Sequence, residues 1–369
     1  MGVFDGLKTK ITDITERTKE IVVGKTMTET PVMKVTMMGA RGVGKTSVLT
    51  SMYNNMNSAM NKTRLHIDAK DGTNEMLIEK VNHLRNMFRD NNDIGDEVQS
   101  GIAGDKNVTT FEFDFGFNTQ NINIGIELKD FPGEYVVSEP EIVKEYIEES
   151  NAIIIAIDTP HLMECGGKYN EAKNRTSVIT EFFKKALNSE TEEKLIMLVP
   201  LKCEKYYLEG RIDEVSEKVK ETYIDLLKFL KDRGNKNGIE GKMACVVAPI
   251  FTLGEIVFDH FEKENGEVCE INIDGLCLPK KVVYAYSKPG ASYQPKYCEQ
   301  PLYYLLTFVS KQYDKLKNSV ETKGFFGRLK DMLKLTPEIN ELFIEVQKFS
   351  LDKVTNEDGY KIFFGAGKM

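Results

Sequence analysis

The feature that most restricts the fold is a glycine-rich turn set between two segments of different periodicity. Val32 to Met38 is a mixed apolar run of strand length, Gly39-Ala40-Arg41-Gly42-Val43-Gly44-Lys45-Thr46 follows it, and Val48, Leu49 and Met52 open a helix-like stretch. Strand, turn and helix in that order fit the phosphate-binding loop: a glycine, four residues, then Gly-Lys-Thr. Glycines let the backbone curl so that successive N–H groups face an anion, and the helix behind them adds the positive end of its dipole. Lys45 is expected to reach the β- and γ-phosphates of a nucleotide and the Thr46 hydroxyl to bind magnesium. Gly39, Ala40, Arg41, Gly42, Val43, Gly44 and Ser47 are expected to line the phosphates.

The rest of the chain alternates. Thr109 to Phe117 and Ile122 to Leu128 alternate apolar and polar residues and read as a hairpin. Ala152 to Ile157, Leu195 to Leu201 and Ala244 to Ile250 are uninterrupted apolar segments, the pattern of strands buried on both faces of a parallel sheet. Helical spacing separates them, at Val178, Phe182, Phe183 and Leu187 and again from Ile212 to Leu230. This order predicts an α/β fold: a mostly parallel sheet with one antiparallel hairpin strand and helices on both faces. Leu77, Val81, Leu84 and Phe88 mark a helix in a first insertion, and Val268 to Tyr286 suggests a small hairpin turning at Asp274-Gly275. The expected layout is a helical extension over 1–30, a core domain over 31–316 with insertions at about 57–107 and 260–298, and a helical extension over 317–369.

Composition excludes several classes. A net charge of −8 argues against a surface that neutralises many phosphates of a nucleic acid. The apolar runs are far shorter than the roughly 20 residues that span a bilayer. Six cysteines without paired metal-ligand spacing read as free thiols in a cytoplasmic protein, and the four histidines as surface or packing residues.

A second motif narrows the nucleotide chemistry. Asp130-Phe131-Pro132-Gly133-Glu134 ends the second hairpin strand; Asp130 there can hold magnesium through a water, and the Gly133 amide can meet the γ-phosphate and release when it is lost. Leu201-Lys202-Cys203-Glu204 follows a later strand. The Lys202 stem can pack on a base, and the Glu204 carboxylate can accept from guanine N1 and N2, donors that adenine lacks.

Together with Ala156-Ile157-Asp158-Thr159-Pro160 and Phe251-Thr252-Leu253-Gly254, these motifs resemble the bacterial double-GTPase-type branch of the Ras-like P-loop GTPases over roughly Met33 to Gln312. The resemblance implies a Ras-like core, GTP or GDP with Mg2+ as ligand, and a switch role in a bacterial multi-protein system, often a defensive one. Glu134 stands where Ras-like proteins usually carry the water-orienting Gln, which suggests slow turnover. Arg41 stands where they usually carry Gly; it either supplies positive charge in cis or blocks an activator's arginine. No single switch-one threonine is evident: Gly104-Asp105 precedes the hairpin, and Thr109 and Thr110 begin it. The alternatives are a nucleotide-binding scaffold with little hydrolysis and an ATPase. Protein partners are expected at the switch regions or at two amphipathic segments, one with Val3, Leu7, Ile11, Ile14 and Ile21, the other opening at Gly324-Phe325-Phe326. A membrane-surface role for the first is the less favoured reading, because its polar face is not strongly basic.

Overall fold

A computed structural model describes residues 30–60, 63–86, 107–117, 123–188, 192–232, 241–262, 269–271, 275–316, 324–335, 338–351 and 359–369. Its strands in chain order are β1 (Val32–Met38), β2 (Leu65–Ala69), β3 (Thr109–Phe117), β4 (Asn123–Asp130), β5 (Ala152–Asp158), β6 (Lys194–Leu201), β7 (Met243–Val247), β8 (Ile256–Glu262), β9 (Cys269–Ile271), β10 (Cys277–Pro279), β11 (Lys281–Tyr286) and β12 (Lys361–Phe364). Eight of them form one sheet in the order β12-β7-β6-β5-β1-β4-β3-β2. β4, β1, β5, β6 and β7 run parallel, and β3 joins β4 antiparallel.

Every residue of β5 and β6 is buried, which is why both read as unbroken apolar runs. Alternate residues face two different cores. Ile154, Ala156 and Met197 meet the helices Lys45–Met60 and Gln300–Leu316 through Leu49, Met52, Leu302 and Leu305. Ile153, Ile155 and Leu198 meet the opposite layer, where Ile147, Phe183, Val219 and Leu226 pack. A helix on each face leaves the ends of the parallel strands open, and ligands of such sheets bind beyond the carboxyl ends where the strand order reverses.

The structure departs from the pattern in five places. β2 adds a strand to the hairpin edge, with Leu65 and Ile67 inward; its five residues are too short to stand out in the sequence. The helical pattern from Ile212 to Leu230 is two helices, Ile212–Thr222 and Ile224–Asp232, because the buried Tyr223 closes the first with a tightened turn, donating to both Val219 and Glu221 carbonyls. The apolar run from Ala244 stops being strand after Val247. The expectation of six free thiols is corrected: a hairpin brings Cys269 and Cys277 together as a disulfide, with Cα atoms 5.8 Å apart, while Cys165, Cys203, Cys245 and Cys298 are free. As part of the same departure, β8 and β11 extend that hairpin back to Ile256.

The fifth departure concerns residues 324–369. Phe325, Phe326 and Leu329 are buried in the main core, with the Phe326 ring 6.3 Å from that of Phe308, so the apolar face that suggested docking is consumed inside the molecule. Beyond the last helix the chain returns as β12, antiparallel to β7. Tyr360 is buried beside it and donates its hydroxyl to the Pro249 carbonyl. Removing residues 359–369 therefore uncovers a sheet edge and deletes a buried ring. A fall of about 2 kcal/mol in the urea unfolding free energy is expected, from the lost aromatic burial alone; an unchanged midpoint would show that β12 is dispensable. The amphipathic segment containing Val3 to Ile21, Phe88 and the Gly104-Asp105 pair lie outside the described residues. No described helix is long and apolar enough to cross a membrane.

Candidate nucleotide site

β1 ends against a loop whose backbone only glycine permits at one point. Gly39 has φ +147°, and a Cβ there would lie 2.8 Å from the Ala156 carbonyl oxygen of β5. The loop thus lies flat on the neighbouring strand before the helix Lys45–Met60 begins. Lys45 folds back along it: its ammonium donates to the carbonyls of Gly39 (2.9 Å) and Ala40 (3.3 Å) and lies 3.9 Å from Asp130 Oδ1. Burial lowers its pKa, against the opposing pull of Asp130 and Glu134.

The structure brings Thr46 and Asp130 together although 84 residues separate them; the Thr46 hydroxyl donates to Asp130 Oδ2 at 3.1 Å. Parallel pairing of β1 with β4 produces this, since Met37 is in register with Asp130. Ser47, the next helical residue, is also buried. Across the hairpin, Thr109 is in register with Asp130 and Thr110 with Lys129. Gly133 lies on the loop itself: a Cβ on it would be 2.7 Å from the Ala40 carbonyl carbon, 2.9 Å from the Gly39 oxygen and closer still to the Arg41 nitrogen.

Arg41 and Glu134 are largely exposed and face each other, with the guanidinium 3.3 Å from the carboxylate. An exposed pair of this kind contributes little to stability.

Lys202 stands at the end of β6 with φ +58°. Its ammonium donates to the Gly42 carbonyl (2.7 Å) and to Asp158 Oδ2 (3.0 Å). Burial pushes the lysine pKa down, but Asp158 and Tyr284 together outweigh it and the net shift is upward. Burial likewise pushes the Asp158 carboxyl up, and His161 and Lys202 overcome it, so the group stays ionised far below the ordinary carboxylate range. His161, bonded through Nδ1 to Asp158, is buried and held neutral-leaning by burial.

Glu204 opens the helix Glu204–Leu208 and is buried; Oε1 accepts the Leu253 N–H at 2.9 Å. Burial pushes its carboxyl up to about 7, with the Leu253 and Gly254 amides pulling the other way. A pocket of about 210 Å³ adjoins it, lined among others by Tyr207, Phe251, Gly254 and Lys296.

Four features of this site carried no assigned role in the sequence reading. Asp158 was quoted there only as the end of a strand. Lys173 donates to the Arg41 carbonyl at 2.9 Å. Asn174 ties Lys173's short helix to Asp158. Tyr284 of β11 brings its ring centre within 5.8 Å of the Lys202 ammonium, while Phe258 of β8 lies 5.0 Å from that of Lys205. The long hairpin therefore covers the side of the site where Lys202 and Glu204 stand. Of these only Asp158 had a usable signal, an ionisable residue closing an apolar strand.

The family profile of Double-GTPase 2 matches residues 34–233, more than half of the chain. No curated protein matches. Among solved structures, the SRb-GTP/SRX complex of the signal recognition particle receptor from Chaetomium thermophilum is 14% identical, with 61% of this chain and 93% of that one covered, at a TM-score of 0.34. The Ski7 GTPase-like domain of S. cerevisiae, bound to GDP and inorganic phosphate, is 12% identical, with 80% and 52% covered, at a TM-score of 0.38. Roco2 RocCORdC of Methanosarcina barkeri, bound to GDP, is 11% identical, with 61% and 45% covered, at 0.29. On the match that spans its phosphate loop, its hairpin, β5 and β6, this chain belongs to the Double-GTPase 2 family of GTPases.

Proposed function

We propose that the protein binds GTP with magnesium, hydrolyses it slowly, and changes its Asp130–Glu134 segment with the state of the nucleotide. One observation carries this reading: Lys45, Thr46 and Asp130, from two distant motifs, meet at the end of β1 and β4, beside the glycine-rich loop. A hydroxyl and a carboxylate oxygen 3.1 Å apart are the hard donors magnesium takes alongside phosphate and water. When bound, the ion neutralises charge between the β- and γ-phosphates. Thr46 and Asp130 would hold it, Lys45 would bind the outer phosphates, and Gly133 would sense the γ-phosphate.

Base choice rests on Glu204. A guanine offers two donors to a carboxylate, and the Glu204 carboxyl, raised to about 7, must lose its proton to accept both. Because the folded value lies above that of an ordinary carboxyl, the neutral form prevails below pH 7, and folding stability falls as pH rises from the ordinary carboxylate range through 7. Guanine binding runs the other way. GTP affinity is expected to rise up to roughly tenfold per pH unit between pH 6 and 7.2, below the range where Lys173 loses its proton. Fluorescence titration of a labelled GTP checks this, and Glu204→Gln should flatten the profile and admit ATP in competition. A sloped profile in Glu204→Gln would remove Glu204 from base recognition.

The scaffold reading has its own observation, the exposed Arg41–Glu134 pair, in which the two candidate catalytic side chains engage each other. Single-turnover phosphate release with GTP and with ATP decides between them: release from GTP alone supports the GTPase, and tight binding without release supports the scaffold. We further propose, on the family resemblance, a role in a bacterial multi-protein defence system, and, on the sequence reading above, a cytoplasmic location; partners would meet it at the switch segments.

A further inference from the structure

Three lysines take four successive carbonyls of the phosphate loop. Lys45 binds those of Gly39 and Ala40, Lys202 that of Gly42, and Lys173 that of Arg41. Lys45 and Lys202 belong to the loop and to the base motif. Lys173 comes from a different place, the helix Asn170–Asn174 that follows β5, and its position is built rather than incidental.

Asn174 accepts the Asp158 N–H through Oδ1 (2.8 Å) and donates through Nδ2 to the Asp158 carbonyl (3.1 Å) and to Asn170 Oδ1 (2.9 Å). Asn170 donates in turn to Thr176 Oγ1 (3.0 Å). All three of these side chains are buried, so breaking any bond leaves a buried polar group unsatisfied. The helix ends at Arg175 in the left-handed region, φ +50°, which sets Lys173 in its final turn. Burial beside Lys202 and Lys45 lowers its pKa to about 8 despite Asp158, consistent with an ammonium held among like charges by geometry.

What the bond does follows from peptide geometry. No described peptide is cis, so the carbonyl of Arg41 and the N–H of Gly42 point in opposite directions from one plane. A cation on the outer carbonyl turns the Gly42 N–H into the loop. Gly133 lies against the peptide just before it, Ala40–Arg41, so the Arg41–Gly42 peptide is next to the part of the loop where the segment expected to sense an outermost phosphate comes down.

Resting on the GTP reading above, we propose that Lys173 is a positioning residue of the phosphate loop: it holds the Arg41–Gly42 peptide with its N–H inward and so favours a triphosphate over a diphosphate. The test measures Kd for GTPγS and for GDP on the full chain with Mg2+, in wild type, Lys173→Met, Lys173→Gln and Lys173→Arg, together with ligand-free Tm. Loss of one charge-assisted hydrogen bond should weaken GTPγS roughly tenfold, leave GDP within about twofold, and leave Tm unchanged; Lys173→Arg should restore the ratio. The Gln variant serves if Met fails to fold.

Equal weakening of both nucleotides, or none, overturns the proposal. So does a ratio that recovers at high salt, because that would be long-range charge rather than a fixed peptide. A wild type that binds neither guanine nucleotide overturns the GTP reading instead; ATPγS and ADP on the same variants then decide Lys173 separately, and failure of that pair as well overturns both.

Discussion

Lys45→Ala is expected to weaken GTP binding by roughly 10²- to 10⁴-fold, the loss of about two charge-assisted hydrogen bonds to phosphate at 1.5–3 kcal/mol each, and to end phosphate release. The ammonium is buried, sits 3.9 Å from Asp130 and bonds two loop carbonyls, so an incoming phosphate finds it aligned without a search through rotamers. Its burial also lowers its pKa, which means that a dianionic phosphate regains much of the charge stabilisation that water would have provided. Lys45→Arg should rescue little. A planar fork cannot take two carbonyls and a phosphate from the same point as a compact ammonium. Equilibrium binding and single-turnover release check both variants, with Tm as control for folding. Wild-type affinity in Lys45→Ala would mean that nucleotide, if bound, is held elsewhere.

Parts of this molecule were legible because their physics is local. The loop Gly39–Thr46 needs glycine for its backbone and lysine for its charge, and β5 and β6 must be apolar throughout because both faces are covered. Other parts depend on distant pairing. β12 has four residues and is a strand only because β7 offers an edge, and β2 likewise depends on β3. Phe325 and Phe326 show the limit most plainly: an amphipathic helix has the same periodicity whether its apolar face meets a partner or its own core. The same holds within the site. Lys173 and Asn174 look like an ordinary polar stretch until the Asn174 amide is seen bonding both backbone groups of Asp158. The approach of Tyr284, on the disulfide-joined hairpin, to Lys202 is equally invisible to spacing, since about eighty residues separate the two.

Gly133→Ala tests the coupling between the two nucleotide motifs more severely than any charge removal. The added methyl would meet the Arg41 nitrogen, the Ala40 carbonyl carbon and the Gly39 oxygen, all backbone atoms that cannot rotate aside. The loop itself cannot retreat, because Gly39 is already seated against the Ala156 carbonyl. On the other side Phe131 is buried, with the rings of Tyr135 and Tyr146 6.5 and 6.1 Å away, which anchors the start of the turn. The displacement must therefore fall on residues 132–134, lifting the Gly133 amide from the place where a γ-phosphate would be sensed. GDP, which needs Lys45 and the loop amides but not Gly133, should bind nearly as in wild type. Hydrolysis should fall roughly 10²-fold, the scale of losing one aligned donor to a developing charge. Limited proteolysis near Glu134 should cease to distinguish GTPγS from GDP. Retained hydrolysis together with retained nucleotide-dependent protection would show that the Asp130–Glu134 segment does not report on the γ-phosphate, and the switch would have to lie in another element.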